Sequence, residues 1–156
     1  MILALVEVER NTRSVMENNL ILQVGVKILL ENEGRQYLLL RRSLEKYPEV
    51  EGRWDIAGGR IDTGKTLMEN LQREVSEETG LELIGIPRLI AAQDILRKTG
   101  YHVVRLTYQG KAQGEVKLDT EENDTFKWYG WEELIKLDDV DVYLKELLNN
   151  PSLWLQ

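Results

Sequence analysis

The sequence predicts an α/β protein, an α/β/α sandwich in which a mixed β-sheet lies between helices. Two pairs of aliphatic runs are each joined by a turn, residues 20–30 with 36–42 across the ENEG of 31–34, and 81–96 with 101–109 across Lys98-Thr99-Gly100. Such pairs read as β-hairpins. Apolar residues recur at helical spacing between the hairpins and again near the end of the chain, which supplies a helix for each face of the sheet.

Residues 1–9 (MILALVEVE) alternate in part and read as an N-terminal arm or edge strand, so that 1–19 precede the first hairpin. The run 20–30 reads as a buried strand, and its hairpin with 36–42 is the strand pair with the strongest local signals. Arg41 and Arg42 close that hairpin and face a loop holding Tyr47, Pro48 and Trp54. Residues 52–56 form a short strand into Ala57-Gly58-Gly59, where two glycines permit positive φ and a close approach of backbone to ligand. Thr66 is a suitable N-cap with Glu69 completing a capping box, and Gly80 suits the position after a helix, which predicts a helix over 67–79. Pro87 breaks the run 81–96, residues 110–114 form a turn, 115–118 a short strand and 119–124 an acidic loop leading into a strand over 126–129. A short helix starts at Trp131, and 140–148 forms an amphipathic helix with Val140, Tyr143, Leu144 and Leu147 on one face, ended by Pro151. Trp154 is either tucked against the body or part of a subunit contact, which leaves a homodimer open.

A chain of 156 residues suits one domain over 1–156. With no Cys there is no thiolate metal site and no cysteine nucleophile. The apolar opening lacks a basic n-region and no later run reaches membrane-span length, so a cytoplasmic chain without membrane contact is expected. A net charge of -7 argues against a nucleic-acid polymer as partner. Residues 35–65 nevertheless hold seven basic side chains against five acids, an arrangement suited to a small-molecule nucleotide with its phosphates. His102, the sole histidine, reads as structural or solvent-facing.

The 67–79 helix carries an anomaly. At about 100° per residue Leu67, Leu71 and Val75 share a stripe, and Glu74 and Glu78 fall within or beside it with Glu77 at its edge. Acids normally lie opposite an apolar face, and like charges at this spacing repel. A hard divalent cation offsets that repulsion, since Mg2+ favours carboxylate oxygen and bridges to phosphate. A solvated acidic helix end without metal is the plain alternative.

Gly59, Arg73, Glu74, Val75, Glu77, Glu78, Gly80 and Leu81 resemble the Nudix hydrolase box, G-x5-E-x7-R-E-U-x-E-E-x-G-U with U aliphatic, at eight of nine fixed positions within the stretch 58–81. Lys65 stands where the pattern has glutamate. The resemblance implies a Nudix-type sandwich and a Mg2+-dependent hydrolase, with Mn2+ as a substitute ion, acting on nucleoside diphosphate derivatives. By that resemblance Glu74, Glu77 and Glu78 hold metal and one of them takes a proton from water, the Gly58 carbonyl is a further metal ligand, and Arg73 orients the glutamates. Glu122, before the strand holding Trp128, is the candidate for one more metal-binding carboxylate, with Glu121 beside it. Arg42, Gly59 and Trp54 are the candidate substrate contacts, Trp54 as a wall for the nucleoside. Features that mark ADP-ribose, dinucleoside-polyphosphate or NADH relatives are not found after the box. The default substrate is therefore a nucleoside triphosphate, normal or oxidised, giving monophosphate and pyrophosphate. Lys65 supports the rival, a catalytically weak module that binds a nucleotide or a protein, and Asp62 is the nearest acid able to replace the missing glutamate.

Overall fold

The structure is a computed structural model and describes residues 20–154. The N-terminal arm expected over 1–19 lies outside the described residues. Among the described residues seven strands form one mixed sheet: β1 (Ile21–Glu31), β2 (Tyr37–Arg42), β3 (Trp54–Asp55), β4 (Ala57–Arg60), β5 (Glu82–Ile95), β6 (Tyr101–Gln113) and β7 (Asn123–Tyr129). The helices are α1 (Leu67–Thr79), α2 (Trp131–Leu134) and α3 (Val142–Leu148), followed by a 3-10 turn at Pro151–Leu153.

Period-two alternation builds a core on each face of the sheet. Val26, Ile28 and Leu30 of β1 join Leu38 and Leu40 of β2 under α1, where Leu71 and Val75 are fully buried. The residues between them, Leu29 and Leu39, point the other way and meet Leu134, Leu144 and Leu148 of α2 and α3. The three-layer sandwich is thus written into the alternation of β1 and β2. Trp154 is buried in the second core and donates from Nε1 to the Leu147 carbonyl at 2.9 Å, the tucked arrangement of the two expected for it.

Strand pairing departs from the sequence reading in the first hairpin. β1 and β2 meet at one register pair, Glu31 with Tyr37. Beyond it β1 takes β4 as antiparallel neighbour, from Gly25 opposite Arg60 to Ile28 opposite Ala57, and runs parallel to β6 on its other side. β2 pairs with β7 and β3 instead. The sheet therefore splays between β1 and β2. The start of β1 also corrects the expectation of a wholly buried run, because Leu20, Ile21 and Leu22 are exposed.

Further expectations are corrected. Ala57-Gly58-Gly59 belongs to a strand of its own, β4, and of its two glycines Gly58 alone has positive φ, at 132°. Pro87 does not end β5, which continues to Ile95 with a register shift between Ile84 and Arg88. Gly110 lies inside β6, where a Cβ would stand 3.1 Å from Ile28 Cδ1, and residues 115–118 form no strand. Their backbone serves the end of α1 instead, with Lys117 N–H donating to the Thr79 carbonyl at 2.8 Å and Asp119 N–H to that of Glu78 at 3.1 Å. Helix-end carbonyls lacking intrahelical partners are satisfied this way.

Candidate active site

α1 begins and ends as its local signals dictate. Thr66 Oγ1 accepts from Glu69 N–H at 3.1 Å, Glu69 returns a bond to Thr66 N–H at 2.7 Å, and Gly80 closes the helix with φ 67°. Leu71 and Val75 anchor the helix on the sheet, which holds Glu74 and Glu78, one turn apart, against the glycine strand β4. That contact requires glycine. A Cβ on Gly59 would stand 2.7 Å from Glu74 Oε1, and one on Gly58 would stand 2.0 Å from the Val26 carbonyl oxygen.

A cavity of about 380 Å³ opens where the sheet splays. Asp55, Glu74, Glu78 and Glu122 contribute carboxylates to it, and Lys27 and Arg42 contribute cations. Glu78 Oε2 accepts from Gly58 N–H at 3.0 Å. Burial nevertheless pushes the Glu78 carboxyl up to about 7, with Lys27 and the Gly58 N–H opposing the shift. Glu74, its side chain 12% exposed, is also raised by burial, against the pull of Arg73 at 2.9 Å.

Glu77 behaves differently from its neighbours. Its side chain is 58% exposed and is held outside the cavity by Arg73 Nη1 at 3.1 Å. Arg73 itself is a hub, donating to Asn70 Oδ1 and the Arg60 carbonyl, both at 3.2 Å, with Asp62 Oδ2 3.3 Å from its Nε. Asp62 also lies 3.5 Å from Lys65 Nζ, so it stands between the two cations.

Glu122 reaches the cavity from the loop before β7, where Lys46 Nζ and the Tyr47 hydroxyl both donate to it. Burial works to raise its pKa, but these two bonds prevail and hold it below the ordinary glutamate value. Arg42 is fixed by Asp55, with Nη2 2.6 Å from Oδ2, whereas Arg41 turns to Asp124 at 2.6 Å. Trp54 lies away from the cavity. It packs edge-on to Tyr129 at 5.6 Å and exchanges backbone bonds with Asp139 and Asp141.

Lys27 and Asp55 escaped the sequence reading. Lys27 Nζ donates to the Ile56 carbonyl at 3.0 Å and pairs with Asp55 Oδ2 at 2.9 Å. Burial opposes the charge on Asp55, yet Lys27, Arg105 and Arg42 together hold its carboxyl well below the usual range. A lysine inside the aliphatic run of β1 and an aspartate between Trp54 and Ile56 were the available signals, since buried charge needs a partner.

Among the described residues no three carboxylates converge as a finished cation cage, and Glu77 is turned to Arg73. The donor set still fits a hard cation. Two carboxylates of α1 are held in the cavity against a strand of small residues, and burial disfavours their charged forms, a penalty that a cation between them would reverse.

Opposed charge in one small cavity suits chemistry on a phosphate ester or anhydride. The NUDIX domain matches residues 21–150, and the chain belongs to the Nudix hydrolase family. The nucleoside triphosphatase NudI of Escherichia coli is 30% identical over 122 residues, covering 70% of this chain and 83% of that protein. The m7GpppN-mRNA hydrolase NUDT17 of Xenopus laevis is 42% identical over 62 residues, 38% of this chain, and the match spans 20% of that longer protein. Among solved structures, the MutT protein from Methanosarcina mazei Go1 superposes with a TM-score of 0.69 at 25% identity, covering 83% of this chain and 92% of that one. Nudix hydrolases use divalent metal ions and act on small nucleotides. No helix among the described residues is long and apolar enough to cross a membrane.

Proposed function

We infer that the protein hydrolyses the α–β phosphoanhydride of a nucleoside triphosphate, releasing nucleoside monophosphate and pyrophosphate, with Mg2+ as the ion and Mn2+ able to replace it. One observation carries this reading: Glu74 and Glu78 share a cavity with Lys27 and Arg42, so carboxylates for a cation and cations for phosphate oxygens face a single space. Glu74, Glu78 and the Gly58 carbonyl would hold the ion, with Glu122 from the opposite loop and Glu77 after release from Arg73. Bound there, it would neutralise phosphate oxygens and acidify water.

The chain's own residues do the rest. Lys27 and Arg42 bind phosphate oxygens, and Asp55 keeps both side chains extended toward them. Arg73 fixes the rotamer of Glu74 by a charge-assisted contact at 2.9 Å and would pass Glu77 to the ion. One of the three glutamates of α1 receives the proton of the attacking water. Trp54 contributes through packing rather than as a nucleoside wall, since it is not among the residues that line the cavity. The approach of Asp62 to Arg73 favours the enzyme over a catalytically weak module, because Arg73 keeps an acidic partner despite Lys65. A cytoplasmic location accords with a nucleotide drawn from solution.

The test is hydrolysis of a panel of nucleoside triphosphates, oxidised nucleotides, ADP-ribose and dinucleoside polyphosphates, with Mg2+ and with chelator. Metal-dependent monophosphate release from a triphosphate is expected. Turnover confined to ADP-ribose or a dinucleotide would reject the substrate, and silence across the panel with nucleotide still bound would reject the enzyme.

A further inference from the structure

A second cavity, about 230 Å³, opens beside the first and shares Lys27, Arg42 and Gly59 with it. Arg60 of β4, Arg97 and Lys98 from the turn between β5 and β6, Arg105 of β6 and Tyr143 of α3 complete its walls. Asp141 is the one carboxylate in its lining.

The charges there do not balance. Lys27, Arg42 and Arg105 are three cations set against two buried carboxylates, Asp55 and Asp141. Arg60, Arg97 and Lys98 add three more and form no ion pair among the described residues; Arg60 Nε donates to the neutral Gln23 side chain at 3.1 Å. A concave site lined by one sign of charge concentrates ions of the other sign. Arg105 is 4% exposed and its Nη atoms are taken by Asp141 at 2.7 Å and Asp55 at 3.4 Å, so the cations of the lining without a carboxylate partner among the described residues are Arg60, Arg97 and Lys98.

The shape of the lining selects phosphate over a nucleobase. Tyr143 is the ring on which a base would stack, and the Arg97 guanidinium already covers it, 5.1 Å from the ring centroid. Lys98 likewise stands 4.2 Å from the ring centroid of Tyr101. A base would have to displace Arg97, whereas a phosphoryl group would be met by Arg97 where it stands.

We propose that this second cavity is a phosphate subsite, which takes a phosphoryl group that the nucleotide carries in addition to its 5′-triphosphate and makes such nucleotides the preferred substrates. The inference rests on the pyrophosphohydrolase reading for its substrate. Two sources present the same chemistry, a longer 5′-polyphosphate chain and a second phosphate on the ribose.

Calorimetric titration in the presence of chelator separates binding from turnover. Adenosine 3′,5′-bisphosphate is compared with AMP, and adenosine 5′-tetraphosphate with ATP, on the wild type and on the Arg97→Gln/Lys98→Gln variant. Both substitutions lie at exposed positions outside the first cavity. In one pair the more phosphorylated ligand should bind about tenfold tighter to the wild type, and the variant should reduce that preference to about twofold or less. The pair that responds identifies the source. Equal affinities within both pairs, or a preference that survives in the variant, would overturn the subsite. Phosphate preference without hydrolysis on adding Mg2+ would fault the enzymatic reading and leave the subsite standing.

Discussion

Replacing Glu78 with glutamine should make the metal-free protein less sensitive to alkali. The folded-state pKa of Glu78 is raised from 4.5 to about 7, chiefly by burial. Between those values the unfolded chain gives up the proton while the folded chain keeps it, so stability falls as pH rises through that window and levels off above it. The full shift corresponds to about 3 kcal/mol as a ceiling, at 1.36 kcal/mol per unit. Glutamine keeps an oxygen for the Gly58 N–H, now at 3.0 Å from Glu78 Oε2, and has no charge to lose. Urea unfolding of both proteins at pH 5 and pH 8, with chelator, gives a double difference from which other titrating groups cancel. The wild type should lose more stability than Glu78→Gln over that interval, by up to the ceiling. Saturating Mg2+ at pH 8 should return about 2.7 kcal/mol to the wild type at a hundredfold excess over Kd, and much less to the variant. Parallel pH profiles, or equal rescue by Mg2+, would refute the claim that burial of this carboxylate readies the cavity for a cation.

Glu77→Gln should remove most turnover while leaving urea stability within about 0.5 kcal/mol, as its side chain is exposed; near-normal release of pyrophosphate would contradict its assignment. Asp62→Asn should lower kcat by loosening Arg73, and Lys65→Glu in the same chain should restore it, which steady-state kinetics on the pair would decide. Gly58→Ala should destabilise by about 3 kcal/mol through strained φ and collision with β1. Gly59→Ala should spare the fold and impair activity by displacing Glu74, and thermal melts beside rate assays distinguish the two.

What could be read from the chain depended on how local the cause was. α1 was legible from cap to cap, because Thr66, Glu69 and Gly80 act within a few residues of one another. The pairing of β1 was not, since its parallel partner β6 lies some eighty residues later and an adjacent turn gives no hint that β4 will displace β2. β4 was hidden by glycines that suggest a turn in isolation but exist to admit Glu74 and the Val26 carbonyl. In the site, the box residues were legible as a pattern, whereas the exposure of Glu77 follows from where Arg73 lies in space. Lys27 and Asp55 carried only the weak signal of charge in an apolar run, and their partners come from distant strands.

The central claim is that α1, β4 and the splayed sheet form a metal-dependent site for cleaving a nucleotide between its α and β phosphates. Its most direct test is separation of the products formed from a nucleoside triphosphate with Mg2+. Equimolar nucleoside monophosphate and pyrophosphate, absent with chelator and in Glu77→Gln, are predicted. Nucleoside diphosphate with orthophosphate, or release that persists without metal, would contradict it.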